Sequence, residues 1–420
     1  MKTQTKVVLD EWFGKGVVML LNLLARFLGS ILSIDHTLEK APKRIVVCKF
    51  LGMGSIIQAT PLLQTLRSNF PNAEIIFVTS TGNKKLLESI KDVNRVYCID
   101  DSGTAKVLSS MIQVLLKFWK HKPDLYIDLE TYSYFSTALA TMSCARNRFG
   151  FYRIERNIRM GVYTHMMFFN ARAPIAQSYL QMARLIGCKT IEESLYSFEI
   201  TETDKKSAME VLDMITSDSH QEFIIVNPNA SDLRIERRWP QEKFGALVTK
   251  LHVLYPQKVF LFIGSKSESL WVEHVIEKLD HPVKEKAFNT AGLFSLTELF
   301  AVINAAELVI TNDTGPMHIS FALGKPTVCL FGPASPSQYG QNPNAFGIYK
   351  NIYCSPCVHD FLTPPCKGDN QCMKQITVDE VSDICVGLIS GSGKSLGTKE
   401  FPLTYLKSDH KSTLGIVERK

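Results

Sequence analysis

The sequence predicts an α/β protein built from two doubly wound parallel-sheet domains that face each other across a cleft. The chain has 420 residues, and at roughly 100–200 residues per domain this length accommodates two or three domains. Short β-branched runs alternate with helical patterns, and runs that are apolar throughout are typical of parallel strands covered on both faces. After a polar stretch at residues 201–221 the same alternation begins again. Because it begins twice, we expect two sheets.

The first alternation occupies residues 43–200. Strands are predicted at 44–50, 73–80, 95–100 and 124–130, and helices at 55–70, 83–90 and 108–119. A glycine turn, Gly52-Met53-Gly54, separates the first strand from the first helix, and Pro61 predicts a kink in that helix. This half therefore reads as one Rossmann-like domain.

The second alternation occupies residues 222–391, after a linker predicted at 201–221. Strands are predicted at 222–230, 258–265, 307–312 and 326–332, and helices at 241–255, 268–279, 295–306 and 317–323. Residues 392–420 are rich in Ser, Gly and Lys, which predicts a flexible tail. Binding sites in sheets of this kind lie at the carboxyl ends of the strands, so each strand-to-helix turn is a candidate.

Composition and charge exclude several classes of protein. The chain is 45% hydrophobic and 21% charged, with a net charge of +6, too weak a bias for a dedicated nucleic-acid binder. Six of the ten cysteines are scattered singly, mostly among apolar residues, which is typical of buried thiols in a reducing compartment such as the cytoplasm. These six are Cys48, Cys98, Cys144, Cys188, Cys329 and Cys385.

The amino-terminal segment, residues 1–42, predicts contact with a membrane surface. The apolar stretch at residues 17–32 has no cleavable-signal pattern and is shorter than the about 20 apolar residues of a spanning helix. From Trp12 to Ile31 apolar side chains recur at helical spacing, with Lys15 and Arg26 among them. This pattern predicts an amphipathic helix lying in the plane of the cytoplasmic membrane. The alternative is a helix that packs on the protein core.

The segment "LVITNDTGPMHISFALGKPTVCLFGP" places a polar turn between a strand and a helix. Asp313, Thr314 and Gly315 stand where the strand ends and the helix begins. Free N–H groups and the positive end of the helix dipole make such a position an anion site, and Gly315 permits close approach of a phosphate. The alternative is that Asp313 and Thr314 only cap the helix.

A long polar turn at residues 227–244 brings three arginines, Arg234, Arg237 and Arg238, near a Trp-Pro pair. The planar guanidinium fork suits a phosphate group. The alternative is a charged surface loop.

The remaining four cysteines fall close together, with a tight pair followed by two wider spacings. They are Cys354, Cys357, Cys366 and Cys372. This spacing predicts a structural zinc site with four thiolate ligands, and the alternatives are reduced thiols or two disulfides.

Several segments together resemble glycosyltransferase family 9, the heptosyltransferase family of lipopolysaccharide assembly. They are "KFLGMGSIIQATPLLQTLR", "RRWP", the NDTGPMH segment in its strand-helix-strand frame, and "CSPC…CMKQITVDEV". The resemblance covers residues 43–390. It implies a GT-B fold, with a nucleotide-sugar donor such as ADP-heptose on the C-terminal domain and the acceptor on the N-terminal one. It further implies an inverting transfer, without a metal cofactor, onto a lipopolysaccharide or related glycan precursor at the inner membrane.

The resemblance also implies roles for individual residues. Asp313, Thr314 and Gly315 match the family's donor-diphosphate loop, and His318 follows one helical turn later. Arg237 occupies the position where the family usually has a phosphate-binding lysine.

One position departs from the family pattern. The family reads Gly-Asp at the N-terminal glycine turn, where the Asp is the expected general base, and this chain has Ser55. A serine hydroxyl is not a base near neutral pH without a partner. Asp128 and Glu130 are the alternative carboxylates. The rival interpretation is a non-catalytic protein that binds a nucleotide sugar.

Overall fold

The computed structural model describes residue 8 and residues 10–32, 34–153, 158–216, 221–230, 234–358, 364 and 366–391. These residues form two domains, each built on a six-stranded sheet. The predicted tail at 392–420 lies outside the described residues.

The first sheet is wholly parallel, with the strand order β3-β2-β1-β4-β5-β6. Strands β1–β6 are Arg44–Cys48, Glu74–Ser80, Arg95–Ile99, Leu125–Asp128, Asn147–Tyr152 and His165–Phe168. Helices α1–α7 are Lys15–Leu32, Met53–Ile57, Thr60–Asn69, Lys84–Glu88, Thr104–Lys120, Tyr134–Met142 and Ile175–Ile186. The first four strands match the prediction, and β5 and β6 were not predicted.

The second sheet repeats this topology with the order β12-β11-β10-β7-β8-β9. Strands β7–β12 are Phe223–Asn227, Val259–Phe262, Ala287–Asn289, Leu308–Asn312, Thr327–Phe331 and Ala345–Tyr349. Helices α8–α16 are Glu202–Thr216, Gln241–Leu254, Ser269–Ile276, His281–Lys284, Leu296–Ala305, Gly315–Ala322, Pro336–Tyr339, Gln371–Lys374 and Val378–Ile389. The predicted pair of Rossmann-like domains is therefore confirmed.

Two predictions differ from the structure in detail. Residues 55–70 form two helices, α2 and α3, because Pro61 lies in the first turn of α3, where its missing N–H costs nothing. The stretch at 201–221, predicted as a linker, consists largely of α8. Helix α8 is tied to α12 by a hydrogen bond from Thr297 Oγ1 to Asp204 Oδ1 of 2.7 Å.

Residues of β1 alternate between the two faces of the first sheet. Val46 and Cys48 join the buried cluster under α5 and α6, to which α1 also packs, whereas Ile45 and Val47 join the cluster on the opposite face. That second cluster continues into the C-terminal domain, where the rings of Phe198 and Phe300 lie 4.8 Å apart.

Candidate functional site

The polar turn after β10 reaches the start of α13. Thr314 is the N-cap residue, yet its side chain makes no capping hydrogen bond, so the capping alternative does not describe it. Its hydroxyl instead accepts a hydrogen bond of 2.7 Å from Asn227 Nδ2 and lies 3.3 Å from the carbonyl oxygen of Asn312. The Thr314 side chain thus stabilises the turn, and the free N–H groups at the start of α13 remain available to other partners.

Arg237 lies directly beside Asp313. Arg237 Nε is 3.4 Å from Asp313 Oδ2, and both side chains are largely buried. Neither of these two atoms has a hydrogen-bond partner among the described residues. The two atoms form an ion pair without a hydrogen bond, so each keeps a hydrogen-bonding capacity that a polar ligand can satisfy.

The other two arginines of the predicted cluster point elsewhere. Arg234 Nη2 donates to the carbonyl oxygen of Val358, and Arg238 stacks over the ring of Trp271 at 4.5 Å. Arg237 is the arginine whose contacts reach Asp313 in the turn before α13, which makes it the candidate anion ligand.

Two buried side chains position Arg237. The amide of Asn312 accepts a hydrogen bond from the backbone N–H of Trp239 at 3.2 Å and donates to the carbonyl oxygen of Asn229 at 3.1 Å. Trp239 is fully buried, and its indole N–H donates to the carbonyl oxygen of Ile376. These contacts join the arginine loop to the end of β10.

The glycine turn of the N-terminal domain lies opposite this loop. Gly52 has a φ of 84°, a left-handed conformation that glycine adopts at little cost. Gly54 has a different role, because a Cβ placed on it would lie 2.1 Å from His318 Cδ2. Glycine at this position allows the two domains to touch.

His318 forms that domain contact. It is buried, and its Nδ1 is 3.1 Å from Gln58 Nε2 of the N-terminal domain. Burial lowers the pKa of His318 to about 4, with Asp313 opposing and Arg237 adding to the decrease. The ring is therefore neutral near pH 7. Its predicted part in donor binding stays a prediction.

The two alternative carboxylates are held by other groups. Asp128 is fully buried and accepts hydrogen bonds from Tyr163, Ser136 and Arg159. Burial raises the pKa of Asp128, against the effect of Arg159. It therefore has no path to an acceptor substrate.

Glu130 fixes the turn that carries Ser55. Its Oε2 lies 3.0 Å from Lys49 Nζ, and its Oε1 accepts from the backbone N–H groups of Phe50 and Leu51. Burial tends to raise the pKa of Glu130, but Lys49 and these amides outweigh it and the pKa is lowered. Glu130 thus positions the backbone at the end of β1.

Ser55 itself is half-buried in α2 and is hydrogen-bonded to Tyr179. Burial raises the pKa of Tyr179, so the phenol is neutral. No ionised group stands at the position where the family carries its aspartate.

The four clustered cysteines line one cavity of about 470 Å³ together with Glu236 and Asp369. All four are free thiols, which disagrees with the disulfide alternative. Burial, together with the neighbouring cysteines, raises the pKa of Cys357 to about 11 and that of Cys372 to about 12. Among the described residues no three His, Cys, Asp or Glu side chains are placed to hold one metal ion. The zinc site stays a prediction.

Helix α1 is anchored to the N-terminal domain by polar contacts. Asp10, just before it, accepts hydrogen bonds from the first amides of α6, and Asn22 Nδ2 donates to the carbonyl oxygens of Ile158 and Met160. Most apolar side chains of α1 and of the turn before it remain exposed, including Phe27 at 64% and Trp12 at 79%. Helix α1 thus packs on the domain through one flank, where Val18 is fully buried, and exposes its other apolar side chains, so the structure combines features of both alternatives.

The stretch Asp10–Gly29 is also long and apolar enough to cross a bilayer. The sequence had predicted an apolar stretch too short for this. The contacts of Asp10 and Asn22 hold it along the domain surface instead.

The sequence placed Asn227 and Asn312 in the two predicted turns without revealing that they position the site, and it did not point to Gln58 or Tyr179 at all. The two asparagines had a detectable signal, since each ends a buried strand. Gln58 and Tyr179 had none, because their partners are distant in sequence.

Comparison with known proteins connects this geometry to one family. Residues 117–364 match the profile of glycosyltransferase family 9 (heptosyltransferase). Lipopolysaccharide heptosyltransferase 1 of Campylobacter coli is 23% identical over 303 residues, covering 70% of this chain and 85% of the relative. The lipopolysaccharide core heptosyltransferase OpsX of Haemophilus influenzae is 23% identical over 321 residues, covering 74% and 86%.

Solved structures show the same fold. A glycosyltransferase family 9 protein from Veillonella parvula aligns with a TM-score of 0.68 at 23% identity, covering 85% of this chain and all of that one. The E. coli ADP-heptose lipopolysaccharide heptosyltransferase II aligns with a TM-score of 0.66 at 19% identity, covering 83% and 99%.

Proposed function

Since the chain belongs to glycosyltransferase family 9, the heptosyltransferases, we propose that this glycosyltransferase moves a heptose from ADP-heptose to the lipopolysaccharide core. Two relatives named as lipopolysaccharide heptosyltransferases match most of the chain, and the E. coli enzyme whose title names ADP-heptose shares its fold. The observation that carries the proposal within this molecule is the buried ion pair of Arg237 Nε and Asp313 Oδ2 at the start of α13, whose two atoms have no hydrogen-bond partner among the described residues.

The two atoms suit different parts of a nucleotide sugar. Arg237 Nε is a charged donor, which fits an oxygen of the diphosphate. Asp313 Oδ2 is an acceptor, which fits a sugar hydroxyl. Gly315 begins α13, where backbone N–H groups and the helix dipole favour negative charge. The donor is thereby oriented with its diphosphate over the helix terminus and its sugar toward the N-terminal domain.

We further infer that the reaction is inverting and needs no metal. The leaving diphosphate gains negative charge as the glycosidic bond breaks, and Arg237 with the α13 terminus supplies positive charge at that place. The acceptor approaches from the turn of Ser55, on the N-terminal domain that faces the start of α13. Displacement along that line inverts the anomeric carbon.

The groups at the turn of Ser55 include no ionised base to take the proton of the acceptor hydroxyl. Ser55 and Tyr179 provide only neutral hydroxyls, while Asp128 and Glu130 are occupied by other groups. We propose that Ser55 orients the acceptor hydroxyl, whose proton passes to water as the new glycosidic bond forms and the bond to the diphosphate breaks, so that the enzyme functions without a carboxylate base at this position. Stabilisation of the leaving group then contributes most of the rate.

We also propose that the enzyme is peripheral on the cytoplasmic face of the inner membrane, through α1. Its exposed apolar side chains carry this proposal, and its in-plane orientation follows from the anchors at Asp10 and Asn22. A lipid-linked acceptor is presented at that surface.

A binding screen tests the donor assignment. Purified protein is titrated by calorimetry with ADP-heptose and, side by side, with UDP- and GDP-sugars. We expect tightest binding for ADP-heptose. Equal or tighter binding of a UDP- or GDP-sugar would contradict the assignment while leaving the family unaffected.

A further inference from the structure

Helix α5 carries an unpartnered apolar stripe. Leu108, Ile112, Leu116 and Trp119 recur at spacings of four, four and three residues, so they share one flank of the helix. Their exposed fractions are 55%, 46%, 55% and 48%. Isolated exposed apolar residues are ordinary, but four on one helical flank form a contiguous apolar patch, which is typical of an interaction surface.

The stripe faces the side of the domain that carries α1. The indole N–H of Trp119 donates a hydrogen bond of 2.8 Å to the carbonyl oxygen of Met142, at the end of α6. The opposite flank of α5 faces the sheet edge, where Lys117 Nζ lies 4.4 Å above the ring of Tyr97 on β3. The stripe is therefore turned toward α6.

Helix α6 lies between the stripe and α1. Its first amides bind Asp10 at the start of the amino-terminal segment, and its last turn binds Trp119 of α5. Side chains of α1, α5 and α6 pack in one cluster on the same face of the sheet. The exposed apolar residues of α1 and of α5 thus flank α6 on one outer surface.

The charges on α5 itself are all positive, although Lys106 lies 3.7 Å from Asp100 in the turn before the helix. Between Asp101 and Asp124 the chain has four lysines and no acidic residue, and all four lysines are exposed. They are Lys106, Lys117, Lys120 and Lys122. Helix α1 likewise has Lys15 and Arg26 without an acidic residue. Apolar side chains bordered by lysines, with a tryptophan at the boundary, match an anionic lipid surface.

We propose that the α5 stripe is a second membrane contact, which binds an anionic phospholipid bilayer together with α1. The inference rests on the peripheral location proposed above and adds a second, separate contact to it. One contact on each side of α6 fixes the orientation of the N-terminal domain on the membrane. A single bound helix would allow the domain to rotate about the axis of that helix. The layer of α1, α5 and α6 then lies along the membrane.

The test compares full-length variants on vesicles of phosphatidylcholine and phosphatidylglycerol in equal parts. Ile112→Gln with Leu116→Gln is expected to lower the partition coefficient by about tenfold, because apolar burial is lost. Lys120→Gln with Lys122→Gln is expected to lower it by roughly fivefold or more on these vesicles and not on pure phosphatidylcholine. The matched control is Val253→Gln with Leu270→Gln, two apolar residues of the C-terminal domain that are still more exposed. It should partition as wild type.

Two further measurements separate the possible outcomes. The stripe variant should keep the wild-type melting temperature, and it should transfer heptose normally to a delipidated, soluble acceptor. Wild-type partitioning by the stripe variant would overturn the proposal. A wild-type dimer that the stripe variant converts to monomer would also overturn it, assigning the stripe to a second copy of the chain. Failure of the wild type itself to transfer heptose would instead contradict the proposed function.

Discussion

Arg237 Nε lies 3.4 Å from Asp313 Oδ2, and neither atom has a hydrogen-bond partner among the described residues. The two side chains come from loops 76 positions apart in the sequence, joined through the Asn312 amide. A buried ion pair whose two atoms have no hydrogen-bond partner keeps one donor and one acceptor for a ligand that offers both a phosphate and a hydroxyl.

Replacing Gly54 by alanine should force the domains apart. The new Cβ would lie 2.1 Å from His318 Cδ2, and such overpacking typically costs about 1–3 kcal/mol. We expect a lower melting temperature and slower transfer, measured by calorimetry and by product formation. Gly82→Ala is the matched control, because no atom lies within 4 Å of a Cβ placed there. Adding His318→Ala should restore part of the stability, and no rescue would contradict a clash with the imidazole.

His318 should make stability depend on pH in a defined window. Burial lowers its pKa to about 4 in the folded protein, against about 6.5 when unfolded. Between these values the unfolded chain binds a proton that the folded chain excludes, so the free energy of unfolding falls as the pH falls from 6.5 to 4. The loss attributable to this residue is roughly 3 kcal/mol at pH 4. Urea unfolding of wild type and His318→Gln should show a shallower pH slope in the variant, and equal slopes would refute a neutral buried ring.

Metal analysis should find about one zinc per chain in protein purified without a histidine tag, if the four clustered thiols bind it. Cys357→Ser should lose that metal. Cys144→Ser, at an exposed lone cysteine, should retain it. Metal-free wild type with four alkylatable thiols in the cluster would remove the zinc site.

Ser55→Asp should raise the transfer rate. The substitution supplies the carboxylate that the turn lacks, and general-base catalysis typically contributes about 10²–10⁴-fold. Steady-state rates across pH would show it, with a new dependence on the ionisation of the introduced aspartate. Ser55→Ala is the control for the hydroxyl and should slow transfer, because the acceptor is then less well oriented. A Ser55→Asp variant slower than wild type would mean that another group accepts the proton.

Much of the fold follows from local pattern, and the exceptions have physical causes. Strand β5 was not predicted because it contains Gly150, which is required where a Cβ would lie within 3 Å of the Tyr163 ring. Strand β9 has only three residues, too few for a pattern. Apolar periodicity detects strands buried on both faces, such as β1 and β10, and detects short or interrupted strands poorly.

The candidate site was also predictable only in part, since contiguous motifs could be recognised and contacts between distant residues could not. The anion turn at Asp313 and the arginine loop are contiguous motifs, so each was predictable alone. Their contact was not, and neither was the pairing of Gln58 with His318, which are 260 positions apart. The role of Gly54 depends on a residue of the other domain, and no local pattern contains that information.

The most direct measurement is transfer of heptose from ADP-heptose to heptose-deficient lipopolysaccharide, together with the dissociation constant of the donor, for wild type and Arg237→Ala. Loss of a charged hydrogen bond of about 1.5–3 kcal/mol predicts roughly 10–100-fold weaker donor binding and at least as large a loss in kcat/KM. Arg95→Ala, at an exposed ion pair with Glu74, should match the wild type. An Arg237→Ala enzyme that is folded and binds ADP-heptose with unchanged affinity, or a wild type that binds the donor and never transfers it, would contradict the assignment.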